Sequence, residues 1–132
     1  REYSSFAELL KSIEESLSTL KQQLAEYLRK LEDARTRSEQ EKKLKEMLKR
    51  LTGEEPASKG RIVDMREVKL YINPDAEQES KLLEEVVERI NRSIQTLQSV
   101  YKTLEPLSSV EVETKITTIY RDGVPVAIII KV

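Results

Sequence analysis

"FAELLKSIEESLSTLKQQLAEYLRKLEDA", residues 6–34, places Phe6, Leu10, Ile13, Leu17, Leu20, Leu24, Tyr27, Leu31 and Ala34 at intervals that alternate four and three. That alternation holds nine side chains on one narrow helical stripe, and no Gly or Pro interrupts it. A helix resting on a globular core shows a wider apolar face, whereas a stripe this narrow is the seam of a coiled coil. The reading is a coiled-coil-like helix whose seam residues Leu10, Ile13, Leu17, Leu20, Leu24 and Leu31 meet a second copy of the chain.

The stripe stops at "RTRSEQEKK", residues 35–43, where Ser38 and Glu41 occupy the next seam positions. Ser38 and Glu41 have the spacing of a capping box, which would start a new helix and make 35–43 a hinge. Against that, Glu39–Lys43, Glu41–Lys45 and Glu46–Arg50 put an acid four residues before a base, an arrangement that supports continuous helix. One helix from about Ser4 to Leu51 is expected, roughly 70 Å long at 1.5 Å per residue. Leu44, Met47, Leu48 and Leu51 give it a second apolar patch, and Gly53 in "TGEEPASKG" ends it.

Beyond the loop 53–60, "VKLYI" (68–72) alternates in strand period, and Asn73-Pro74 reads as the cap and first position of a second helix. That helix carries Leu83, Val87, Ile90, Ile94, Leu97, Tyr101 and Leu104 on one stripe and stops before Pro106. The closing "KITTIYRDGVPVAIIIKV" (115–132) is a hairpin. A two-residue Asp122-Gly123 turn would set the apolar row Val126, Ile128, Ile130 beside the polar row of its partner. A three-residue loop, Arg121 to Gly123, faces Ile116 with Ile128 and brings the apolar rows together. The last strand is apolar on both faces, so it is read as the central strand, flanked by strands near 110 and 68–72. The second helix then becomes the crossover of a split β-α-β unit. Ala127 and Ile129 lie on the remaining sheet face, to be covered by the first helix or another molecule.

The fold class is therefore α+β: a long N-terminal coiled-coil-like helix plus a small split β-α-β domain with a three-stranded sheet and C-terminal β-hairpin. The layout is 1–52 helix, 53–60 loop and 61–132 β-α-β-β domain.

Composition narrows the chemistry. The 132 residues contain no Cys and no His, so thiolate nucleophiles, disulfides and the commonest general base and metal ligand are missing. Three glycines form no phosphate loop, and the adjacent glutamate pairs do not converge on one helix face. An enzyme, a metal and a cofactor are not expected. No apolar run spans a membrane, no signal-peptide pattern opens the chain, and a soluble cytoplasmic protein is expected. The charged composition with two Asn fits a thermophilic protein.

Net charge is −1, yet residues 35–50 hold seven bases against three acids. Arg35, Arg37, Lys42, Lys43, Lys45, Lys49 and Arg50, followed by Lys59 and Arg61, are the candidate nucleic-acid-binding set. No aromatic is interleaved for base stacking. The function expected first is a non-catalytic structural or adaptor protein that self-associates through seam and sheet face and can engage another protein. Nucleic-acid binding through 35–61 is the alternative.

Overall fold

A computed structural model describes residues 1–53, 61–72, 74–109 and 114–131. The elements are β1 (Glu2–Tyr3), α1 (Phe6–Thr52), β2 (Arg61–Met65), β3 (Val68–Ile72), α2 (Ala76–Leu104), a 3-10 turn (Glu105–Ser109), β4 (Lys115–Arg121) and β5 (Val124–Lys131). The mixed class is as expected: long N-terminal helix, second helix, three-stranded antiparallel sheet and C-terminal hairpin.

α1 is one helix of 47 residues. At its start Ser5 Oγ accepts the Glu8 N–H, while the Glu8 carboxylate accepts the Ser4 N–H and hydroxyl, satisfying donors the helix leaves free. Those bonds, the Ser4 hydroxyl first, hold the Glu8 carboxyl below its ordinary pKa. At its end Gly53 adopts φ 71° and its N–H reaches the Lys49 carbonyl at 2.8 Å, a left-handed cap that suits glycine. No hinge forms at 35–43. Glu41, which would close the capping box there, instead accepts the Ala76 N–H at 3.3 Å. α2 opens on a reciprocal cap: Asp75 accepts the Gln78 N–H, and the Gln78 side chain accepts the Asp75 N–H. The helix thus begins two residues after Pro74, and Asn73 lies outside the described residues.

The chain forms two compact units, Arg1–Ala25 with Glu88–Val132, and Glu26–Val87. Each helix contributes to both. In the first unit Phe6, Leu9, Leu10 and Ile13 of α1 pack with Leu97 and Leu104 of α2 and with Tyr3 and Ile116 of the sheet. Leu9 lies off the narrow stripe and is fully buried, so the start of α1 has the wide face of a helix on a globular core. In the second unit Leu31 and Ala34 pack with Leu83, Tyr27 and Val87.

The sheet order is β1-β4-β5, which corrects the expected topology. β3 does not join β5. It pairs antiparallel with β2 across Arg66-Glu67, from Met65↔Val68 to Arg61↔Ile72. The local hairpin closes a two-residue loop, whereas pairing with β5 would close one more than twenty-fold longer at greater entropic cost. Among the described residues the split β-α-β crossover is therefore absent, β4 is central, and β5 is an edge strand. β1 supplies the third strand through Tyr3↔Ile116 and Glu2↔Thr117. The strand expected from Val110 begins at Lys115, with 110–113 outside the described residues.

The hairpin reaches its register by another device than the one expected. Asp122-Gly123 is a two-residue turn, both residues at positive φ (53° and 77°), pairing Arg121 with Val124. That register would misalign the faces. A β-bulge then places Val126 as an extra residue between Tyr120↔Pro125 and Ile119↔Ala127, and that single step of slip restores the alignment. Beyond it Thr118 faces Ile128 and Ile116 faces Ile130. The apolar rows coincide as their pattern requires, through the bulge and not through the loop.

Candidate association surfaces

The seam residues are placed mostly inside the chain. Leu10, Ile13 and Leu31 are buried, Leu17 and Leu20 pack half-buried against the first core, and Leu24 is half-buried. Ion pairs and hydrogen bonds fix the helices antiparallel in each unit. Tyr101 donates to Glu14 at 2.6 Å in the first, while Arg35–Glu84 and Arg37–Glu79 close at 3.0 and 3.1 Å in the second. Exposed pairs of this kind contribute little stability, but they set register. Glu79, and next Asp33, hold the Arg37 guanidinium charged beyond its ordinary range. The stripe that reads as an intermolecular seam is used to hold α1 against α2.

The uncovered apolar surface lies elsewhere. α2 begins beside Glu41, so Lys42 to Thr52 extend past its first turn as an overhang. Leu44, Met47 and Leu51 of this overhang are 57%, 59% and 80% exposed, and Leu48 is 37% exposed. The β2–β3 hairpin sets Val63, Met65, Val68, Leu70 and Ile72 on one face, and four of these five are exposed. A two-stranded hairpin is marginal by itself in water, so this face favours a cover.

In the first unit the sheet has one covered and one open face. Tyr3, Ile116, Thr118 and Ile128 turn toward the helices. Thr117, Ile119, Ala127 and Ile129 form the other face, with Ala127 exposed, Ile119 48% and Ile129 43% exposed. α1 does not cover Ala127 and Ile129. The rim of this face carries both signs: Glu2 and Asp122 with Lys115, Arg121 and Lys131. A groove of about 310 Å3 follows β5 beside α2, lined by Val100, Thr103, Leu104, Pro125, Val126 and Ile128 among others.

The basic set divides. Arg35 and Arg37 are held by Glu84, Glu79 and Asp33. Lys42, Lys43, Lys45, Lys49 and Arg50 are exposed on the overhang, and none of the Glu39–Lys43, Glu41–Lys45 or Glu46–Arg50 pairs closes as an ion pair. Lys59 and the Arg61 side chain lie outside the described residues.

A polar cavity of about 340 Å3 in the first unit is lined by Arg1, Ser12, Glu15, Thr19, Gln23, Ser93 and the Asp122-Gly123 turn, among others. Beside Ser12 runs a hydroxyl chain that sequence reading missed: Tyr3 hydroxyl to Ser12 Oγ at 3.0 Å and to the Tyr120 hydroxyl at 2.7 Å. Nothing in the spacing of residues 3, 12 and 120 could have announced it, because it depends on β1. Burial, and next the Tyr3 bond, pushes the Tyr120 hydroxyl up to about 12. It stays protonated near neutral pH and serves as a strut.

The sign of its effect on stability follows. The folded chain keeps a proton that the unfolded chain releases near the ordinary 10.0. The stabilisation is intact below about pH 10 and is lost as pH rises from there through about 12. Denaturant melts of the native chain should weaken across that window more steeply than melts of Tyr120→Phe.

Among the described residues, no cluster of three metal-ligating side chains forms, and no helix is long and apolar enough to cross a membrane. Compared with protein-family models, curated proteins and solved structures, the chain matches none. Its function is read from its own surfaces.

Proposed function

We propose that this protein is a non-catalytic structural adaptor that self-associates through the outer side of β5 and presents its second unit to a different partner. The observation that carries the reading is the uncovered β5: an apolar edge strand whose outward face bears Ala127 and Ile129, beside Ile119. A long apolar edge is a template for another strand, and natural proteins usually blunt or cover it. Val124 to Ile130 carries no charge, and of the usual protections only Pro125, Lys131 and the bulge at Val126 are present. The mixed signs of the rim let a second copy be turned so that unlike charges meet.

Two competing readings are weaker. Association through Leu10, Ile13 and Leu31 would require side chains already packed inside the chain to be withdrawn from it. Nucleic-acid binding through 35–61 has the exposed overhang bases in its favour, but an apolar stripe runs among them, and Arg35 and Arg37 are engaged by carboxylates.

The absence of Cys makes a clean test available. Single cysteines at Ala127→Cys and Leu17→Cys are oxidised under mild conditions in dilute solution. A covalent dimer is expected at the first position and not at the second. A dimer at Leu17→Cys alone would return association to the seam.

A further inference from the structure

Resting on the adaptor reading and naming its partner, we infer that the overhang Lys42–Thr52 is a docking face for an acidic amphipathic helix of another protein. Leu44, Met47, Leu48 and Leu51 stand at i, i+3, i+4 and i+7, the spacing by which one helix lays its apolar face against another. At about 100° per residue these four fall within an arc of about 100°. Lys43 and Arg50 border that arc on one side and Lys45 on the other. All three are exposed, and none has an ion-pair partner among the described residues. Glu41, the nearest carboxylate at the stripe's edge, is occupied by the Ala76 N–H. Within residues 42–52 the site is thus an apolar seam with a rim of one sign.

That rim selects the occupant. A second overhang would set base against base along both borders, which disfavours self-pairing here. A phosphate backbone would use the bases but bury nothing against the four apolar side chains. A lipid surface draws on larger apolar faces with aromatic residues, and 42–52 contains no aromatic. A helix with its own apolar stripe and carboxylates beside it satisfies both parts at once. The overhang is also prepared for it. A free segment of eleven residues would form helix only marginally, but this one continues a helix already held to Glu41 by α2.

The test uses the full chain and a fluorescent synthetic heptad peptide with Leu at a and d and Glu at e and g, whose glutamates oppose pairing with itself. Its counterpart carries Lys at e and g. Anisotropy is measured against both peptides, against duplex DNA of mixed sequence and against phosphatidylserine-containing vesicles. The acidic peptide should bind at least about tenfold more tightly than the basic one, with affinity falling as salt rises. Leu44→Gln with Leu51→Gln should weaken it by about tenfold or more, and the melting temperature should hold because both sites are exposed. Lys43→Glu, Lys45→Glu and Arg50→Glu together should move the preference to the basic peptide. Equal affinity for the two peptides overturns the proposal, as does binding to vesicles or DNA without binding to the acidic peptide. The mass of each variant in solution separates this result from the self-association reading. A monomeric chain that binds the acidic peptide refutes the latter alone, and a self-associating chain that ignores it refutes the former alone.

Discussion

Ile13→Ala is expected to lower folding stability by about 2–5 kcal/mol, the range for truncating a buried aliphatic side chain. Ile13 is 2% exposed and packs among Leu9, Leu10 and Leu97, so its loss leaves a cavity within one chain. The melting temperature should fall by several degrees per kcal/mol, by the same amount at every protein concentration. That independence is the informative part. If Ile13 were an intermolecular contact, dilution would mimic the substitution. Leu51→Ala, at a site 80% exposed, should stay within about 0.5 kcal/mol of the native chain under the same melts.

Tyr3→Ala is expected to cost more, about 3–5 kcal/mol, as large aromatic truncations do. The ring is buried in the first core, and its hydroxyl joins Ser12 to Tyr120. The loss also unseats β1, which pairs with β4 through Glu2 and Tyr3, with Lys115 reaching Glu2 at 3.3 Å. β4 would then become an edge strand, and heating should bring aggregation at concentrations where the native chain stays clear. Tyr3→Phe separates the two effects: it keeps the packing and should cost only about 1 kcal/mol for the lost hydrogen bonds. Chemical denaturation of the three chains, followed by far-ultraviolet circular dichroism, measures both differences.

Elements with strong local signals were legible in the sequence. The unbroken run from Phe6 to Leu51 contains neither Gly nor Pro, and the helix ends where Gly53 can turn left-handed. The apolar rows of the last hairpin required one facing, and the molecule has it. The means was hidden, because a bulge at Val126 and a three-residue loop restore the same alternation of faces. Topology was less legible. Two residues, Glu2 and Tyr3, have no periodicity to reveal a strand, yet they take the place beside β4. "RIVDM", residues 61–65, does not read as a strand of its own and is the partner of the next one.

The seam admits two readings for a physical reason. Heptad spacing records that a helix packs against another along a narrow line, and it is the same whether that helix belongs to another chain or follows in this one. α2 carries a matching stripe, and a connection within one chain makes its pairing effectively intramolecular. The uncovered residues Leu44, Met47, Leu48 and Leu51 were visible as a patch. Their exposure depends on where α2 begins, which its stripe alone did not locate.

The most direct measurement is sedimentation equilibrium of the native chain and of Ile129→Lys at equal concentrations. The native chain should exceed its 15.3 kDa chain mass, while Ile129→Lys should return to that mass with its circular dichroism retained. A native chain at 15.3 kDa throughout, or an Ile129→Lys chain as heavy as the native one, would contradict association through β5.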